Sequence, residues 1–131
     1  DYATELGKHA AAGQNVPRFD VLLSGMGAEG HTASIFPETP AAHDRRPVVA
    51  VHGSPKPPPT RLSLTFPTIQ NAEEVWVLAT GAAKAPAIGL ALSGAGEVQI
   101  PVAGARGRNQ TLWLLDRAAA AEVPAELRNP W

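Results

Sequence analysis

Apolar positions in this chain fall into short runs punctuated by glycine and proline. Phe19-Asp20-Val21-Leu22-Leu23 and Val48-Val49-Ala50-Val51 are near-continuous, the pattern of strands buried on both faces of a parallel sheet. Arg61 to Thr65 alternates apolar and polar and predicts a third strand; Val75–Ala79 and Thr111–Leu115 predict two more. Helical segments fall between them. Residues 1–13 read as the end of a helix closed by Gly13. Pro67 can open a helix, since its missing N–H is no loss in a first turn. An alanine-rich helix is predicted over residues 81–92, with Pro86 near its start or kinking it, and Asp116 is placed to cap a final alanine-rich helix. A short helical segment is expected from His31 to Phe36, stopped by Pro37. Residues 38–47 read as polar loop, and 93–110 as loop with a short strand near Val98–Val102. Strands alternating with helices predict an α/β domain with a mostly parallel, Rossmann-like sheet and helices on both faces. Residues 1–131 form one such domain or part of one.

Composition narrows the chemistry. At 131 residues and 44% hydrophobic, the chain can build one core but not two ordinary domains. Trp76 and Trp113 are assigned to that core. Eleven basic residues against twelve acidic ones give a net charge of −1, which offers no electrostatic footprint for nucleic acid or an anionic membrane. The absence of cysteine excludes disulfides, thiolate catalysis, Fe–S clusters and cysteine zinc sites, and fits a reducing compartment such as the cytoplasm. His9, His43 and His52 have no metal-ligand spacing with one another or with His31, so no metal site is expected. No run approaches the roughly 18 apolar residues of a membrane helix. The opening Asp-Tyr-Ala-Thr-Glu-Leu is not a signal peptide, and without an initiator methionine the chain is expected to be processed, trimmed or incomplete.

The strongest local signal is Gly25-Met26-Gly27-Ala28-Glu29-Gly30, a G-x-G-x-x-G turn directly after a strand. A dinucleotide site needs a full helix after the last glycine and an acidic residue about twenty positions on. Pro37 denies the first, and His52-Gly53 stands where the second belongs. A strand, glycines and a helix start would still present free backbone N–H groups at the carboxyl edge of a sheet, where anions and oxyanions are stabilised. A lone histidine is more often structural than functional. His31, however, follows three glycines that admit a substrate to the backbone, and an imidazole ordinarily titrates near ~6.5, so it can accept a proton at neutral pH. Lys56 and Arg61 flank Pro57-Pro58-Pro59; taken alone they are solvated loop charges or part of a PxxP ligand.

Gly25 to Pro37, G-M-G-A-E-G-H-T-A-S-I-F-P, resembles the G-M-G-x-D-G-H-T-A-S-L-F-P signature of the 6-phosphogluconolactonases. Ser54 to Thr65 is similar to their S-P-K-P-P stretch, and Gly81-Ala82-Ala83-Lys84 to a G-x-x-K helix start. Glu29 replaces the usual Asp, and Ile35 the usual Leu. The resemblance covers only the C-terminal half of a typical member: a Gly-rich phosphate loop and an Asp-Glu-Arg segment have no counterpart.

The resemblance implies hydrolysis of 6-phospho-D-glucono-1,5-lactone to 6-phosphogluconate in the pentose phosphate pathway, with His31 as general base on water and no cofactor. It implies substrate contacts at Lys56, Arg61, Gly25, Gly27 and Gly30, the backbone N–H groups around Gly27–Gly30 receiving the oxyanion. Lys56 is favoured over Arg61 for the phosphate, because Arg61 begins a strand and could pair structurally. The partner implied is a small phosphorylated sugar lactone. Two rivals stand beside this reading. One is a hexosamine-6-phosphate deaminase or isomerase, whose Asn-Glu pair after the histidine is lacking here. The other is a truncated, inactive lactonase half.

Overall fold

In chain order the elements are α1 (Tyr2–Lys8), β1 (Val21–Ser24), β2 (Val48–Val51), β3 (Arg61–Leu64), α2 (Phe66–Ile69), β4 (Glu74–Ala79), α3 (Ala85–Leu92) and β5 (Gln110–Leu115). They are seen in a computed structural model that describes residues 1–128. Three strands lie parallel in the order β1-β4-β5, with Leu23 opposite Trp76 and Trp76 opposite Leu112. The α/β architecture with a parallel sheet is the one the strand and helix pattern predicts.

β2 and β3 stand apart from this sheet as an antiparallel pair, Val48 opposite Leu64 and Val51 opposite Arg61. The apolar run of β2 points instead to a parallel strand. The connection decides it: a short loop joins β2 to β3, whereas a parallel crossover takes a dozen or more residues.

The core lies on one side of the parallel sheet. Val75 and Val77 are fully buried there, in one cluster with Phe66 and Ile69 of α2, Ile88 of α3 and Val102. Leu22, Trp113 and Leu115 pack against the same cluster. Partners in a parallel ladder share a face, so Val21, Leu23, Trp76, Leu78, Leu112 and Leu114 form the other one. On it Leu23 is 65% exposed, and Val21, Leu78 and Leu114 are exposed too. Trp76 is thus half-buried on this outer face, its indole N–H donating to Glu74 at 2.8 Å, and is not a core residue.

Several local elements differ from expectation. α1 ends at Lys8, well before Gly13, where His9 and Ala10 tighten to bonds on Leu6 and Gly7. Residues 98–102 form no strand; a 3₁₀ turn, Pro101–Gly104, stands there. Asp116 does cap the stretch after β5, its carboxylate accepting from the N–H of Ala119 at 2.8 Å, but that stretch is a chain of turns rather than a helix. Pro86 sits in the first turn of α3, where it is tolerated, and does not kink it.

Candidate active site around His31

β1 delivers the chain into the glycine turn at one end of the sheet, and no helix succeeds it. Thr32 and Ile35 instead exchange reciprocal backbone bonds of 3.3 and 2.9 Å around a tight turn, with Ala33 at φ 50°. Side chains hold this turn in place: the Thr32 hydroxyl donates to the carbonyl of Gly25 at 2.9 Å, and the Ser34 N–H donates to Ser63 Oγ on β3 at 3.0 Å. Serine and threonine offer the backbone such alternatives to a helical ladder. The predicted segment His31–Phe36 is therefore a pinned turn, and no helix N-terminus faces an anion here.

The oxyanion expectation changes with it. The N–H of Gly27 is bonded to the carbonyl of His31 at 3.0 Å, and that of Gly30 to the carbonyl of Gly27 at 2.9 Å. Neither is free. The N–H groups of Ala28 and His31 have no partner among the described residues. The three glycines do different work. Gly30 is at φ 98° and gives its carbonyl to Val102, whereas a Cβ at Gly25 would meet nothing within 4 Å. A Cβ at Gly27 would overlap the His31 ring and come within 2.7 Å of Glu29 Oε1.

His31 Nδ1 is hydrogen-bonded to Glu29 Oε1, and the other carboxylate oxygen of Glu29 is 3.2 Å from the Lys56 ammonium. One carboxylate thus bridges the imidazole and the lysine. Burial pushes the Glu29 carboxyl up, but hydrogen bonds from His31, its own backbone N–H and Lys56 outweigh that and hold it at about 2. An ionised carboxylate only accepts, so Nδ1 carries the proton and Nε2 is the open, basic nitrogen. The imidazole also packs on the buried Phe36 ring, centroids 4.6 Å apart.

Lys56 reaches the cluster through Glu29, its ammonium 3.2 Å from the carboxylate. Arg61 stands beside this cluster with its hydrogen bonds spent within the protein: its guanidinium donates to the carbonyls of Lys56, Pro57 and Pro58. Glu29 and Phe36 are the residues that sequence reasoning misses. Glu29 is visible in the letters only as a variant within the glycine motif, and its placement two residues before the histidine is the available signal. His52 lines a cleft of about 290 Å³ with Asp44, Arg46, Ser54 and Phe36, and His31 does not line it. Lys84 lies at the start of α3, where its charge helps hold the Asp116 carboxyl below the usual carboxylate range, behind hydrogen bonds from Ala119 and Gly81.

Residues 1–113 match the family described as glucosamine-6-phosphate isomerases/6-phosphogluconolactonase. The chain belongs to that family. A 6-phosphogluconolactonase of Streptomyces coelicolor is 57% identical over 136 residues, covering 98% of this chain and 51% of that protein. The human 6-phosphogluconolactonase is 41% identical over 122 residues, covering 92% and 47%. Among solved family structures, the Leishmania guyanensis 6-phosphogluconolactonase superposes with a TM-score of 0.78 at 32% identity, over 95% of this chain and 52% of that one. The chain thus spans about half the length of the relatives it matches.

Proposed function

We propose that this chain carries the base and one phosphate contact of a 6-phosphogluconolactonase, which hydrolyses 6-phospho-D-glucono-1,5-lactone to 6-phosphogluconate. The observation that carries the reading is the Glu29–His31 pair set over the bare backbone of Gly27. Nε2 of His31 takes a proton from water, and the hydroxide adds to the lactone carbonyl. The tetrahedral intermediate then collapses, its ring oxygen leaving with the proton from the imidazolium. General base help of this kind is typically worth about 10²–10⁴-fold. Glu29 fixes the tautomer and steadies the transient imidazolium.

The N–H groups of Ala28 and His31 are the donors open to the developing oxyanion. Gly25, Gly27 and Gly30 leave the approach free of side chains. Lys56 has three N–H donors and gives one to Glu29, so two remain for a substrate phosphate. On this reading the protein works in the cytoplasm on a small phosphorylated sugar lactone, without a cofactor.

Activity is assigned to the protein at the length of its relatives. The test is therefore made on this chain fused to the remaining half of the Streptomyces coelicolor relative. The fusion should form 6-phosphogluconate faster than the buffer blank, and a folded fusion no faster than the blank would refute the reading.

A further inference from the structure

The loop that carries Lys56 has a chemical difficulty of its own. Pro57, Pro58 and Pro59 have no N–H, so the segment has few backbone donors of its own. A backbone bond from the Ser54 N–H to Pro59 O at 2.8 Å closes the loop at its ends, and two side chains hold the carbonyls between. The Ser54 hydroxyl donates to the carbonyl of Lys56 at 2.8 Å. Arg61, the first residue of β3, supplies the rest: Nε donates to Pro58 O at 3.0 Å, and one terminal nitrogen donates to Lys56 O at 2.9 Å and Pro57 O at 2.8 Å. Three consecutive carbonyls are thus gathered by one guanidinium.

That group is held from the other side as well. Its carbon stands 5.6 Å from the centroid of the Phe36 ring, on which His31 also packs, and its second terminal nitrogen lies 3.5 Å from Ser34 Oγ. Arg61 therefore joins the loop bearing Lys56 to the turn bearing His31. Four of its five N–H groups are directed at protein oxygens, so the fork that would grip a phosphate is not open.

The geometry points to Arg61 as a positioning residue: it sets where the Lys56 ammonium stands, and through Glu29 how the His31 ring is held, and it does not bind the substrate phosphate. This role rests on the reading of His31 as the base, but the test needs no turnover, so the two can fail separately.

The test is a carbon-detected NMR titration of the Glu29 carboxyl in the full-length fusion and in its Arg61→Lys, Lys56→Ala and double variants. Arg61→Lys keeps the charge and the contact with Phe36 but cannot hold three carbonyls. Its Glu29 titration should move up by as much as that of Lys56→Ala, and the double variant should move no further. Inorganic phosphate, followed by its shift of the Lys56 side-chain signals in the parent fusion, should leave the Arg61 side-chain signals unmoved. A wild-type Glu29 titration in folded Arg61→Lys would overturn the assignment. So would phosphate shifting the Arg61 signals directly. Should Arg61→Lys unfold, Ser54→Ala removes the other side-chain donor of the same loop and should raise the Glu29 titration in the same direction; no rise there overturns it equally.

Discussion

The imidazole of His31 lies in the space that a Cβ on Gly27 would occupy. The glycine is required by close approach, since its backbone is not in the left-handed region. Gly27→Ala must push the ring off Glu29 or shift the turn. A misplacement of about 1 Å can cost on the order of 10²-fold in rate. Gly27→Ala should therefore lower turnover of the full-length fusion to that extent, while Gly25→Ala, which meets nothing within 4 Å, should leave the thermal midpoint unchanged. Kinetics and a melting curve on both variants check this.

Glu29 gives a pH dependence with a definite sign. Its carboxyl is lowered from the ordinary 4.5 to about 2 in the folded chain, so it contributes stability that is present above pH 4.5 and lost as pH falls toward 2. Asp44, held at about 2 by hydrogen bonds from Arg46, adds to the same acid loss. Glu29→Gln should flatten the stability profile between about pH 4.5 and 2 without abolishing the slope. Denaturant midpoints measured across that window decide it; an unchanged slope would mean that Glu29 has no such contribution.

Lys56→Ala in the fusion should raise KM for the phosphorylated lactone far more than for unphosphorylated gluconolactone. A charge-assisted contact is worth about 1.5–3 kcal/mol, roughly 10- to 150-fold. Equal changes for the two substrates would show that Lys56 acts on His31 through Glu29 and does not read the phosphate.

The outer face of the parallel sheet carries Leu23, Trp76, Leu78 and Leu114 with no helix of the described residues over it. Exposed apolar patches of this kind promote association. The 131-residue chain alone should bind a hydrophobic dye or self-associate, and should show no lactone turnover above spontaneous hydrolysis. Leu23→Lys with Leu114→Lys should reduce dye binding while leaving the fold intact, as seen by circular dichroism. A well-folded wild-type monomer that ignores the dye contradicts this.

The sequence discloses the three strands of the parallel sheet because their apolar runs are bounded by turn residues. It singles out His31 and Lys56 as candidates because their motifs are short and ordered. It does not disclose that β2 and β3 leave the sheet, since strand pairing is settled by loop length and not by the run itself. The turn after His31 reads as helix because its letters suit one; Thr32, Ser34 and a left-handed Ala33 override them through bonds to residues distant in sequence. Arg61 reads as a free charge because only the fold shows three proline-loop carbonyls converging on it. Glu29 is similarly hidden: nothing in the letters says that one carboxylate reaches both an imidazole and an ammonium.

The catalytic role proposed for Glu29 depends on His31 being the base. The direct measurement is turnover of 6-phosphogluconolactone by the full-length fusion and its His31→Ala variant, corrected for spontaneous hydrolysis and accompanied by melting curves. A general base at His31 predicts a loss of at least about 10²-fold in turnover with an essentially unchanged thermal midpoint. Near wild-type turnover from a folded His31→Ala protein would contradict it.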